Sequence, residues 1–134
     1  MEKIISTLQR RHSPTGITRL TRNSKLFKTI VNAIHDKKGE AVVSLDLRKI
    51  DEAVADFFVL CEANSSIQLK AIADHVIEQV QEKTGEKPYH CAYSDQWILV
   101  DYVNIVTHIF RPEQRAFYDL ESLWEDAGRM EHNG

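Results

Sequence analysis

The sequence contains few of the residues that hold small secreted domains together, and no stretch that would span a membrane. It has two cysteines, three prolines and five glycines among 134 residues. Two cysteines are too few for the usual disulfide framework, so we expect a reducing compartment with Cys61 and Cys91 buried and unbridged. No apolar run approaches the roughly 20 residues that cross a bilayer. Both absences favour a cytoplasmic protein over a secreted or membrane-bound one.

The remaining composition is that of an ordinary globular domain. Hydrophobic residues make up 43% of the chain and charged residues 28%. A chain of this length fits one domain with a self-sufficient core. We therefore expect a single folded unit.

Charge is distributed unevenly along the chain. Residues 1–28 hold seven cations and one acid, a net charge of +6, so the rest of the chain, with the total at −3, carries −9. A basic segment on an acidic body is typical of a solvated tail or of a contact with nucleic acid. The same composition, rich in arginine, serine and threonine, also suits a mitochondrial transit peptide. We expect residues 1–24 to form a flexible basic arm, either a solvated tail or a contact with nucleic acid.

Apolar spacing predicts two long helices, five strands and a final short helical segment. Asn23 or Ser24 is a candidate cap for the first helix, and Gly85 ends the second. The predicted strands cover 41–47, 56–61, 89–93, 97–101 and 105–110. Pro112 suits the first turn of the last helical segment, and Asp119 is a candidate restart within it.

The predicted order is α-β-β-α-β-β-β-α. It favours the α/β class, with a single mixed five-stranded sheet flanked by helices in a nucleotidyltransferase-like arrangement. The folded domain should cover 25–128, and 129–134 should form a polar C-terminal tail.

The search for catalytic groups yields only weak candidates. A metal-dependent nucleotidyltransferase needs a Gly-Ser loop and paired carboxylates. Asp46 is the only acid within its predicted strand, no Gly-Ser pair precedes it, and nothing in the spacing brings Asp56 or Asp101 close to it. The adjacent His90 and Cys91 would point to opposite faces of a strand, which disfavours zinc. We predict no catalytic residue, cofactor or metal ligand, and keep a nucleotidyltransferase-like enzyme as the alternative.

The last third of the chain predicts an aromatic hairpin. A turn at 102–103 would place Trp97 opposite His108 and Leu99 opposite Val106. Large rings dominate protein–protein contacts when they are exposed, yet the same rings could form the core beneath the last helix. We predict a core position for Phe110, Phe117 and Leu123. Both positions stay open for Trp97, Tyr102, His108 and Tyr118.

The stretch WILVDYVNIVTHIF over 97–110, followed by RPEQRAFYDLESLWEDA over 111–127, resembles the signature of the ribosomal silencing factor family, also called Iojap-like or RsfS. That signature has a Trp, then Asp-Tyr, then His-x-Phe, then Arg-x-Phe-Tyr-x-Leu-Glu-x-Leu-Trp. Asp46, the strand at 56–59 and the segment SSIQLKAI over 65–72 also resemble family segments. The resemblance covers roughly 25–128.

The resemblance implies a protein without chemistry of its own. Family members bind the large ribosomal subunit at large-subunit ribosomal protein 14 and sterically block joining of the small subunit. Translation is thereby repressed, with a further role in large-subunit biogenesis, and members are often homodimers away from the ribosome. The motif implies these partner-binding residues: Trp97, Asp101, Tyr102, His108, Arg115, Tyr118 and Glu121. It implies these supporting residues: Phe57, Phe110, Leu120 and Trp124.

The chain departs from the family pattern at several positions. Ile67 stands where arginine is common, Asp95 where glycine is frequent, and Thr107 where an aliphatic residue is usual. Val103 stands where many members have glycine, so we expect the hairpin tip to avoid a positive φ there.

Overall fold

The structure, a computed structural model, describes residues 21, 22 and 24–133, so the predicted basic arm falls almost entirely outside the described residues. The helices of the described part are α1 (Lys25–Asp36), α2 (Ser66–Thr84), α3 (Pro112–Tyr118) and α4 (Leu120–Leu123). The strands are β1 (Glu40–Asp46), β2 (Phe57–Glu62), β3 (His90–Ala92), β4 (Trp97–Asp101), β5 (Ile105–Phe110) and β6 (Gly128–Glu131). None of these helices is long and apolar enough to cross a membrane.

All six strands form one mixed sheet in the order β3-β4-β5-β2-β1-β6. β2 and β5 are parallel, and the other neighbours are antiparallel. Alternate residues of β2 point to opposite faces, so Phe57 packs with α1 and α2 while Phe58 packs with the connection after β1 and with α4. The predicted α/β class, with a mixed sheet flanked by helices, is confirmed.

The helix boundaries follow local side-chain chemistry. The Ser24 hydroxyl accepts a hydrogen bond from the Phe27 N–H at 3.2 Å, and the Ser65 hydroxyl accepts one from the Gln68 N–H at 3.1 Å. Such caps satisfy the first N–H groups of a helix, which have no partner within it. Gly85 ends α2 with a φ of 78°, a conformation that glycine adopts without steric cost.

The sheet has one strand more than the sequence predicts. Gly128–Glu131 pairs antiparallel with β1 as β6, and all of it but Gly128 lies in the segment 129–134 that the sequence predicts to be a polar tail. All four residues are exposed, so the sequence lacks the alternation of apolar and polar residues that usually predicts a strand. Backbone pairing with the edge of β1 forms it instead, and the His132 N–H extends this pairing to the Val42 carbonyl at 2.8 Å.

The β4–β5 hairpin has a different register from the predicted one. Trp97 lies opposite Phe110, and Leu99 lies opposite His108. The Tyr102 N–H donates to the Ile105 carbonyl, so the loop lies one residue later than expected and every pair shifts by two. Because the shift is even, each side chain keeps its predicted face.

The hairpin tip uses a positive φ at Val103, where the sequence led us to expect none. Its φ is 73°, in the left-handed region that β-branched residues rarely adopt. The Asp101 carboxylate accepts a hydrogen bond from the Val103 N–H at 2.7 Å and helps to hold this conformation. The tight loop thus keeps a geometry that favours glycine, with valine in place.

Val103→Gly should stabilise the protein by about 0.5–1 kcal/mol. Removing the side chain relieves the left-handed strain, about 1–2 kcal/mol, and part of that gain is offset by the greater chain entropy of glycine when unfolded. Urea denaturation of both proteins measures the difference. Val103→Ala keeps a Cβ and should gain less, whereas equal or lower stability of Val103→Gly would contradict the account.

Candidate functional site

Four of the seven implied partner-binding residues lie inside the protein. Trp97 and His108 are 0% exposed, and Asp101 and Tyr102 are also buried. Burial raises the pKa of the Tyr102 hydroxyl above its ordinary range. The exposed aromatic hairpin considered from the sequence is therefore not present, and of the two alternatives the core position applies to Trp97, Tyr102 and His108.

The buried rings of Trp97 and His108 belong to an aromatic cluster on the face of the sheet opposite α1 and α2, whereas Tyr102 packs on the same face as those helices. Trp97 Nε1 donates a hydrogen bond to His108 Nδ1 at 3.1 Å, across a diagonal pair of the hairpin. The Trp97 ring centroid lies 4.7 Å from that of Phe110 and 5.1 Å from that of Tyr118. The cluster thus fixes the half-buried Tyr118, at the end of α3, against the sheet.

Arg115 and Glu121 bind each other and brace the short helices. Arg115 Nε donates to Glu121 Oε1 at 3.1 Å, and its Nη1 donates to the Ala41 carbonyl at 2.7 Å. Arg129 Nε donates to the other oxygen of Glu121 at 3.2 Å. Hydrogen bonds to Glu131 and Glu121 raise the pKa of Arg129. This network of side-chain hydrogen bonds connects α3 and α4 to β1 and β6, so Arg115 and Glu121 have a positioning role.

The exposed large apolar side chains of the two short helices are Phe117 and Leu123, at 78% and 61%. The sequence predicts both in the core, and that prediction is wrong. Asp119 adopts a φ of 44°, ends α3, and caps α4 by accepting from the Ser122 N–H at 3.4 Å. This break interrupts the apolar stripe, so that only Leu120 is buried in the two helices.

We define the α3–α4 surface as the exposed Phe117 and Leu123 with the half-buried Tyr118 and Trp124. The rings of Phe117 and Tyr118 meet edge to face, with centroids 5.0 Å apart. Trp124 packs edge to face on the buried Phe58 ring, with centroids 6.1 Å apart. Exposed apolar side chains on a firmly held support are suited to binding another protein. The restart at Asp119 was the one sequence signal that pointed to this surface.

The implied supporting residues lie on both faces of the sheet. Phe110 and Leu120 are buried beside the aromatic cluster, and Trp124 is half-buried at its rim. Phe57 is fully buried on the other face, with α1 and α2. Phe57 is thus separated by the sheet from the α3–α4 surface.

Among the described residues, no group of three or more His, Cys, Asp or Glu side chains is placed to hold a metal ion. The Asp46 carboxylate instead receives two hydrogen bonds from the Arg48 guanidinium, at 2.9 and 2.6 Å. Cys61 is buried and Cys91 half-buried, and neither forms a disulfide. Burial raises the pKa of the Cys61 thiol to about 12, which keeps it protonated and unreactive at neutral pH.

The ion pair between Asp46 and Arg48 should make a pH-dependent contribution to the stability of the fold. Hydrogen bonds from Arg48 lower the pKa of Asp46 in the folded protein, against the opposing effect of burial. A lowered pKa means that the carboxylate stabilises the fold above its unfolded pKa of about 3.9, and that this stabilisation is lost as pH falls through the folded pKa. Asp46→Asn should therefore cost about 1 kcal/mol at pH 7.

Urea denaturation of Asp46→Asn and the unmodified chain between pH 7 and pH 2.5 tests this prediction. The difference in unfolding free energy should shrink as the pH falls below about 4. A difference that stays constant over the whole range would contradict it.

Fold and surface together define a small α/β domain whose candidate site is an exposed apolar surface. A family model described as "Ribosomal silencing factor during starvation" matches residues 21–134. The chain belongs to this family, RsfS.

Named relatives and a solved structure agree with this assignment. The ribosomal silencing factor RsfS of Halalkalibacterium halodurans is 40% identical over 114 residues, which cover 84% of this chain and 96% of that protein. RsfS of Bacillus subtilis is 35% identical and covers 76% and 86%. A crystal structure of a Bacillus halodurans protein aligns with a TM-score of 0.67 at 38% identity, over 76% of this chain and 95% of that one.

Proposed function

We propose that this protein binds the large ribosomal subunit at large-subunit ribosomal protein 14 and prevents the small subunit from joining. Its family and the names of its relatives support a ribosomal silencing role. The observation that carries the proposed contact is the α3–α4 surface, where Phe117 and Leu123 are exposed. The mechanism is steric exclusion without a chemical step, in the cytoplasm where ribosomes work.

The proposed contact differs from the one the motif implies. We assign direct contact to the α3–α4 surface, with Arg115 and Glu121 at its edge. Trp97 and His108 act from inside, since the Trp97 ring supports Tyr118 and donates a hydrogen bond to His108. Asp101 and Tyr102 shape the hairpin tip. These four are thus positioning residues, and their replacement changes the surface only through the fold.

Local charge favours a basic partner. Residues 111–127 contain five acids and two arginines, a net charge of −3. A net negative charge on the segment that carries the apolar surface speeds association with a basic ribosomal protein and makes that rate fall with salt. The homodimer and the RNA contact by residues 1–24 remain predictions, and the arm lies almost wholly outside the described residues.

Sedimentation with separated ribosomal subunits tests the proposal. The protein should move with the large subunit in a sucrose gradient and stay at the top of the gradient with the small subunit. Raising the salt concentration should weaken the association. Failure to sediment with the large subunit at low salt, or equal sedimentation with both subunits, would contradict the proposal.

A further inference from the structure

A cavity of about 510 Å³ lies between α1, the end of β1 and the segment after β6. Four basic side chains from separate parts of the chain line it: Arg22, Lys28, Arg48 and His132. No carboxylate is among its lining residues in the described part of the chain. We call this site the cationic cavity, and it is distinct from the α3–α4 surface.

Hydrogen bonds hold two of the basic groups, Arg22 and His132, in place within the cavity. Arg22 Nε donates to the Ser44 hydroxyl at 2.8 Å, and Arg22 Nη2 donates to the Gly128 carbonyl at 2.8 Å. A ring nitrogen of His132 lies 2.8 Å from the same Ser44 hydroxyl. Side chains fixed in this way lose little entropy when a ligand binds, so the site is preorganised.

Positive charge is concentrated around one aromatic ring. The guanidinium carbons of Arg22 and Arg48 lie 5.3 and 5.2 Å from the centroid of Phe57. Burial and repulsion from Arg48 lower the pKa of Arg22, although Asp46 opposes this. Burial, Arg22 and His35 lower the pKa of His132. Asp46 already pairs with Arg48, so an anion placed here would mainly offset the charges of Arg22 and Lys28.

The cavity also has an apolar wall. Phe27 and Met130 line it beside the cations. Cations next to apolar surface suit a ligand that carries both a phosphate and a less polar part, as a nucleotide does. A bare inorganic ion would use the charges and leave this wall without a contact.

We propose that the cationic cavity binds a backbone phosphate of RNA. The distribution of charge along the sequence favours a polyanion over a small phosphate ion. Arg22 and Lys28 belong to the segment 1–28, which holds seven cations and one acid, whereas the rest of the chain carries a net charge of −9. This inference rests on the proposed function, which places the protein beside ribosomal RNA. It adds a second, electrostatic contact to the protein contact of the α3–α4 surface.

Fluorescence anisotropy with a labelled single-stranded RNA oligonucleotide and the full chain tests the site. Arg22→Gln combined with Lys28→Gln should weaken RNA binding about tenfold, and the salt slope should fall by about 0.7 for each cation removed. Lys28→Gln alone leaves the hydrogen bonds of Arg22 in place. It should reduce the salt slope of RNA binding by half as much as the double variant does. The charge-matched control, Lys70→Gln with Lys87→Gln, should bind RNA like the unmodified chain.

The outcomes separate this inference from the proposed function. The double variant should still sediment with the large subunit at low salt, and a Phe117→Ala/Leu123→Ala variant should still bind the oligonucleotide. Equal loss of RNA affinity in the control and cavity variants would overturn the inference. Thermal stabilisation by inorganic phosphate without any RNA binding would also overturn it, since the site would then be for a small anion.

Discussion

Trp97→Ala should destabilise the protein by about 3–5 kcal/mol. Trp97 is 0% exposed, and its ring fills the space between Phe110 and Tyr118. Truncation leaves a large cavity and removes the N–H that donates to His108 Nδ1. Since a domain of this size is stable by only about 5–15 kcal/mol, the loss threatens the fold itself. Ribosome binding should be lost only as a result of this.

Trp97→Phe serves as the control for this prediction. It keeps an aromatic ring but not the hydrogen-bond donor, so the free energy of unfolding should fall by only about 1–3 kcal/mol. Thermal and urea unfolding followed by circular dichroism measure both variants. If Trp97→Ala folded with unchanged stability and yet lost ribosome binding, Trp97 would be an exposed contact residue in solution and not a core residue.

Phe117→Ala combined with Leu123→Ala should abolish sedimentation with the large subunit while leaving stability unchanged within about 0.5 kcal/mol. Both side chains are mainly exposed, so their loss opens no cavity. Interface anchors contribute about 2 kcal/mol or more each when truncated, and 1.4 kcal/mol corresponds to a factor of ten. Two such losses amount to about 4 kcal/mol, so the affinity should fall at least about 500-fold.

A matched control uses exposed apolar side chains elsewhere on the protein. Tyr89 is 70% exposed and Ile67 is 82% exposed, and both lie outside the α3–α4 surface. Tyr89→Ala combined with Ile67→Ala removes one aromatic and one aliphatic side chain, as the test variant does. The control should sediment with the large subunit normally. Normal sedimentation of the test variant would show that the contact lies elsewhere.

Much of the fold could be predicted from the sequence because local signals and burial agree. Ser24 and Gly85 mark helix ends where capping chemistry places them. β2 is apolar up to its last residue, Glu62, as expected for a strand covered on both faces, and every residue before Glu62 is buried. Pro112 starts α3 at the position that tolerates a missing N–H.

The remaining features depend on contacts that periodicity does not encode. β6 forms by backbone pairing of exposed residues, so side-chain patterns do not reveal it. The hairpin register depends on a loop in which Val103 takes a conformation that sequence statistics disfavour.

The candidate site was harder to predict because the sheet is covered on both faces. Trp97 and His108 have polar atoms that suit either an interface or a partner inside the core, and inside the core Trp97 Nε1 donates to His108 Nδ1. Phe117 and Leu123 follow a helical stripe in the sequence, but the left-handed Asp119 interrupts it. The break at Asp119 thus accompanies the exposure of both side chains, for which the sequence predicts a core position.

The most direct test of the central claim is a subunit-joining experiment. Purified large and small subunits are mixed, with the protein in excess over the large subunit, and joined ribosomes are measured on a sucrose gradient. The account predicts that joined ribosomes fall towards zero with the unmodified chain and stay at the protein-free level with Phe117→Ala/Leu123→Ala. An undiminished yield of joined ribosomes, with the unmodified protein bound to the large subunit, would contradict it.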